Sequence, residues 1–236
     1  MTPSGTLTFI TNFFVILFFA AFASKALAQQ TYINVPSPTI LERDQNFLQH
    51  ESQFKTENPN QFYNATNYYA RGIGFDTELD VTQFNLSTPA SQNVVIGLGT
   101  KTSFALDEKS IYKPTIIFGA MVPFSLQGEG AGHWIYSTFN FELPQTKTTF
   151  TAGISKGSKQ IFGREVTSFI GAFEQKISGK LSVLGDWYSG NHNLGIGAIA
   201  FGYYYSKSLV FYGGYQIANQ NQKNLNSYVI EIATFF

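Results

Sequence analysis

Three groups of residues are of types that could do chemistry, and two of them have the spacing of a known motif. Gly153-Ile154-Ser155-Lys156-Gly157 has the G-x-S-x-G pattern in which a serine hydroxyl attacks a carbonyl carbon. That motif works because a sharp strand-to-helix turn lifts the hydroxyl clear of a sheet. Here Ser158-Lys159-Gln160-Ile161-Phe162-Gly163 follows, a loop-like run without helical period, so Ser155 is expected to have no such role. Gly195-Ile196-Gly197-Ala198-Ile199-Ala200 has the G-x-G-x-x-A spacing that cradles a pyrophosphate between a strand and a helix. This stretch alternates at period two and reads as a strand itself. The three histidines, His50, His133 and His192, lack the H-x-x-x-H spacing of a metal pair and are expected at solvated or interfacial positions. No catalytic residue, metal or cofactor is therefore expected, and the chain is not read as an enzyme.

The elements that hold these residues are strands. After residue 29 no segment reaches the roughly 20 apolar residues of a spanning helix, and alternation at period two recurs in runs of about ten. In the last run Tyr228, Ile230, Ile232, Thr234 and Phe236 share one face, and Val229, Glu231, Ala233 and Phe235 the other. Ile135, Phe139, Phe141 and Leu143 alternate in the same way with Trp134, Tyr136, Thr138, Asn140 and Glu142. Tight connections such as 74–77, 145–147, 178–180 and 206–208 alternate with longer ones at 87–93, 127–132, 155–165 and 219–226, the loop asymmetry of a membrane barrel. Counting back from the C-terminus places eleven strands between 66 and 236. An even number puts both termini on one side, so 46–55, the weakest by pattern, is taken as the twelfth. The expected fold is all-β, a transmembrane antiparallel up-and-down barrel of about 12 strands, with 10 or 14 as alternatives.

Composition agrees. Only 13% of residues are charged while 17% are aromatic, and the 15 basic and 15 acidic groups cancel. That neutrality gives no reason to expect nucleic acid as a partner. With no cysteine there is no disulfide framework, thiolate site or lipoprotein anchor. Phe13 to Ala23 is an apolar run of signal-peptide length, followed by Ala26-Leu27-Ala28 with small residues where a signal peptidase reads. Residues 1–28 are thus expected to be a signal peptide, 29–45 a periplasmic or plug segment carrying Pro36 and Pro38, and 46–236 the barrel.

The final strand, Tyr228-x-Ile230-x-Ile232-x-Thr234-x-Phe236, resembles the C-terminal signature of bacterial outer-membrane proteins. The resemblance implies residence in the outer membrane, contact with its lipid, and recognition of Tyr228, Ile230, Ile232 and Phe236 by the barrel-assembly machinery. Gly74-Phe75-Asp76-Thr77-Glu78-Leu79-Asp80 is similar to turns of porin-like families, which implies a channel. Outer-membrane phospholipases also use 12-stranded barrels, with a His–Ser pair and an Asn on the outer wall. No His-x-Ser step is expected in this chain, and a lipid hydrolase is therefore not expected.

If the apolar face meets lipid, the charges belong inside, because a basic group near the bilayer midplane costs roughly 2–4 kcal/mol on the lipid face. The expected lumen set is Arg71, Glu78, Asp80, Lys101, Glu142, Asp186 and Glu231, five acids and two bases. It implies a porin-like channel for passive diffusion of small hydrophilic solutes, weakly cation-preferring. The alternative is a closed-lumen structural or surface-interaction barrel working through its loops.

Overall fold

The computed structural model describes residues 31–57, 62–88, 94–219 and 226–236. The expected signal peptide lies outside these residues, as do the central parts of the 87–93 and 219–226 loops. Twelve strands follow one another: β1 (Asn46–Lys55), β2 (Tyr63–Gly74), β3 (Thr77–Thr88), β4 (Val95–Ala105), β5 (Thr115–Ser125), β6 (Trp134–Leu143), β7 (Thr148–Gly157), β8 (Val166–Lys176), β9 (Leu181–Tyr188), β10 (Ile196–Tyr204), β11 (Leu209–Ala218) and β12 (Ser227–Phe235). Each pairs antiparallel with its sequence neighbours, and β1 closes on β12. The closure is tied off at the rim by reciprocal backbone hydrogen bonds between Asn46 and Phe236, at 2.8 and 3.0 Å. A closed sheet leaves no edge of unpaired backbone.

Alternation sets the two surfaces. Along β12, Val229, Glu231, Ala233 and Phe235 are buried, while Tyr228 and Ile230 are 60% and 50% exposed on the outside. The same parity gives Trp134, Thr138 and Asn140 inward from β6, and Ser182, Leu184, Asp186 and Tyr188 inward from β9. The outward face carries large exposed apolar groups such as Phe118, Phe169, Ile199 and Phe201.

Two local features depart from the sequence reading. The connection from β4 to β5 lies on the tight-turn side yet spans 106–114, so the short–long alternation is broken once. The segment read as a plain 155–165 loop contains a short helix, α1 (Lys159–Phe162), stopped by Gly163 at φ 77°. α1 tucks Ile161 and Phe162 into the barrel mouth, where Phe162 packs on Trp134, Tyr188 and His192.

The segment before β1 is inside the barrel. Tyr32, Ile33, Val35, Ser37 and Leu41 are all buried. It leaves past Gly72, whose N–H donates to Gln45 O and whose carbonyl accepts from the Asp44 N–H, both at 2.9 Å. A Cβ on Gly72 would stand 2.0 Å from Glu42 O. Gly72→Ala is therefore expected to displace residues 42–45 and destabilise the barrel by roughly 1–3 kcal/mol, as overpacking does. The midpoint of the heat-dependent gel-mobility shift measures this, and an unchanged midpoint would mean that the segment does not pass there.

Candidate functional site

The barrel interior is organised around this N-terminal segment. Asp186, inward on β9, accepts hydrogen bonds from three successive backbone N–H groups: Ile33 at 3.0 Å, Asn34, and Val35 at 2.8 Å. The Asn34 side-chain amide donates to its other oxygen at 3.1 Å. Successive N–H groups aimed at one point make an anion nest, here filled by the barrel's own carboxylate. Gln216 donates to Asn34 Oδ1 at 3.1 Å and is itself held by the Ser227 hydroxyl at 2.8 Å. Tyr32 bonds Thr151 at 2.8 Å, and Thr151 donates to Asn140 at 2.7 Å.

Lower down, Glu78 on β3 faces Lys101 on β4 in register, with Nζ 3.2 Å from Oε1. Both side chains are almost wholly buried. Both also bond the segment: Leu41 N–H donates to Glu78 Oε2 at 3.0 Å, and Lys101 Nζ to Ser37 O at 3.3 Å. The pair thus neutralises itself and pins residues 37–41. Above the segment, Glu51 on β1 stands directly opposite Glu231 on β12. Gln53 donates to Glu51 at 2.7 Å, and Gln49 to Glu231 at 3.0 Å. A cavity of about 160 Å³ lies over the segment, bounded by Asn34, Glu51, Asp80, Tyr136 and Gln216, and reaching Lys55 and Asn64 at the long-loop end.

Glu78, Asp80, Lys101, Asp186 and Glu231 all have buried side chains inside the barrel. Glu142 has inward parity but sits at the rim, where Lys113 of the β4–β5 connection pairs with it at 2.9 Å. Arg71 does not belong to the lumen. It is exposed between the inward Ala70 and Gly72, and pairs with Asp44 at 2.8 Å on the outside of the rim. The backbone of Leu41 and Glu42 passes against Gly72 on the inner side, so the inward position there has no room for a side chain. An outward charge near a membrane interface costs far less than one at the midplane. The sequence reading missed Glu51, which lies on the strand of weakest pattern.

The histidines also differ from expectation. His192 is buried: Nε2 lies 2.8 Å from both Ser189 O and Ser168 Oγ, and the Leu194 N–H donates to Nδ1 at 3.2 Å. Nε2 therefore carries the proton. Burial, with Arg164 nearby, holds this imidazole below the usual histidine range, so it is neutral at pH 7. His50 faces outward, and it corrects a misreading: His50-Glu51-Ser52 is a His-x-Ser step. Its Nδ1 lies 2.8 Å from Asn67 Oδ1 on β2, and its Nε2 3.0 Å from Ser52 Oγ. Ser155, by contrast, is buried inside the barrel and accepts from the Trp134 indole N–H at 2.8 Å.

No protein-family model matches the chain, and no curated protein does. Solved structures do resemble it. The NanC porin superposes with a TM-score of 0.56 at 11% identity, covering 80% of this chain and 99% of that one. The KdgM porin, in complex with disordered oligogalacturonate, gives 0.55 at 6% identity, covering 81% and 98%. Outer membrane phospholipase A from Escherichia coli gives 0.50 at 10% identity, covering 89% and 98%. At such identities the likeness is one of fold. With its closed ring of twelve antiparallel strands and its apolar outer face, the chain folds as a bacterial outer-membrane β-barrel.

Proposed function

We propose that this barrel resides in the outer membrane and is a porin-like channel for passive diffusion of small hydrophilic solutes, weakly cation-preferring and closed at rest by residues 31–45. The observation that carries the reading is the acid-lined cavity resting on a segment whose residues 33–41 are held by hydrogen bonds to a few side chains, with backbone bonds to Gly72 at 44 and 45. Such a segment can leave and return without breaking a strand ladder. Lipid covers the outward apolar face, and the barrel-assembly machinery reads Tyr228, Ile230, Ile232 and Phe236. In support, Tyr228 and Ile230 point outward at the C-terminal strand.

Selectivity is assigned to the cavity carboxylates. Lys101 is neutralised by Glu78, and Glu142 by Lys113. Asp186 is occupied by the segment. Of the carboxylates that line the cavity, Glu51 and Asp80 remain to favour cations. Glu51→Gln with Asp80→Asn is expected to move the reversal potential in a potassium chloride gradient towards zero. A reversal potential unchanged from that of the parent channel would remove the cation-selectivity claim. The closed-lumen alternative is favoured by one observation, the packing of α1 into the mouth. A barrel that stays silent after release of the segment would establish it.

A further inference from the structure

We propose that Ser52, His50 and Asn67 form a hydrolytic triad on the outer wall of the barrel, acting on carboxylic esters of membrane lipids. The hydrogen-bond chain fixes the roles. Asn67 donates through Nδ2 to Gln83 Oε1 at 2.7 Å, which leaves its Oδ1 turned to His50. An amide oxygen can only accept, so His50 donates from Nδ1 and keeps a lone pair on Nε2. That lone pair faces the Ser52 hydroxyl at 3.0 Å. Nucleophile, base and orienting group thus stand in the order that acyl transfer needs. The contact between His192 and Ser168 cannot work this way. At His192 the nitrogen beside Ser168 carries the proton, and the other is occupied by a backbone amide.

The position argues for a function as well. Ser52 pairs across β12 with Ile230 and His50 with Ile232, residues of the lipid-facing set. Four polar side chains, His50, Ser52, Asn67 and Gln83, therefore lie on a face where apolar residues would be more stable. They face away from the lumen and cannot serve it. Ser52 is 8% exposed, with the Tyr63 hydroxyl 3.2 Å from Oγ, a donor placed beside the reacting atom. Exposed Phe54, Tyr228 and Ile230 supply an apolar wall for an acyl chain. Ser52 stands three residues from Lys55 at the outer end of β1. That is about 10 Å along the strand, near the level of the outer-leaflet esters.

The step balances with water as the co-reactant. Ser52 Oγ bonds to the ester carbonyl carbon as its proton passes to His50 Nε2. The carbon–oxygen bond to the alcohol then breaks, and His50 protonates the departing alcohol. Water, deprotonated by His50, attacks the acyl-serine, and Ser52 leaves with its proton restored. The net result is one ester and one water giving one fatty acid and one alcohol.

The test uses the folded full chain in dioleoylphosphatidylcholine vesicles, with each variant first shown to retain its heat-dependent mobility shift. Hexadecanesulfonyl fluoride should modify Ser52, identified by peptide mass, and the unmodified protein should release oleate. Ser52→Ala should abolish both, and His50→Asn should reduce both at least about a hundredfold, as loss of a general base does. Asn67 is a positioning residue. Asn67→Ala should lower the rate about tenfold or more, and Asn67→Asp, whose carboxylate can still accept from His50 Nδ1, should restore it. An unlabelled Ser52 in a folded barrel would overturn the triad. A labelled Ser52 without oleate release would overturn the lipid substrate, as would release undiminished by Ser52→Ala. Because these residues face outward, none of these results depends on the channel.

Discussion

Asp186→Ala is expected to unseat residues 31–45 while leaving the barrel folded. The carboxylate accepts from three successive backbone N–H groups and one side-chain amide. Its removal strands the three N–H groups in a buried site. At ~1 kcal/mol or more for each, the seated arrangement loses roughly 3 kcal/mol, about a hundredfold in its ratio to the released one. The chain has no cysteine, so Ser37→Cys supplies a unique thiol at a position that is 3% exposed when the segment is seated. Its rate of reaction with a maleimide should rise about a hundredfold in the Asp186→Ala background, in proportion to that ratio. Equal rates in the two backgrounds would show that the carboxylate does not hold the segment.

The second large effect concerns stability. Lys101→Met leaves Glu78 charged, buried and without its counterion. Breaking a buried pair from one side destabilises by roughly 3–5 kcal/mol. Adding Glu78→Gln should recover most of that loss, since an amide oxygen can still accept from the Leu41 N–H. The midpoint of the heat-dependent gel shift reads both. A double variant no more stable than Lys101→Met alone would mean that the loss comes from packing of the lysine stem.

Much of this was legible in the sequence, and the reasons for the rest are specific. The β12 alternation places Glu231 inside and Tyr228 and Ile230 outside because period two admits one assignment once one face is apolar. Arg71 misled because the rule that charges turn inward holds at the midplane and relaxes at the rim. What decides its direction is the passage of Glu42 beside Gly72, a contact between segments that no local pattern encodes. The anchoring of Asn34 by Asp186 spans 152 residues and is equally silent in sequence. α1 is too short to show a helical period.

The weakness of β1 was itself informative. Its outward face reads Leu48, His50, Ser52, Phe54, so the apolar stripe is interrupted by two polar residues. That interruption lowered its standing as a membrane strand, although a polar step on a lipid-facing side is a signal of function. The partner Asn67 could have been found by pairing the two strands, since it stands directly opposite His50 in register.

The proposal that a polar-lined barrel is closed by its own N-terminal segment is tested most directly by conductance in a planar lipid bilayer. The full chain should give rare, brief steps. Asp186→Ala, folded by its gel shift and open to maleimide at position 37, should give frequent, stable steps whose reversal potential favours cations. A folded Asp186→Ala barrel with its segment released and still no steps would contradict the account.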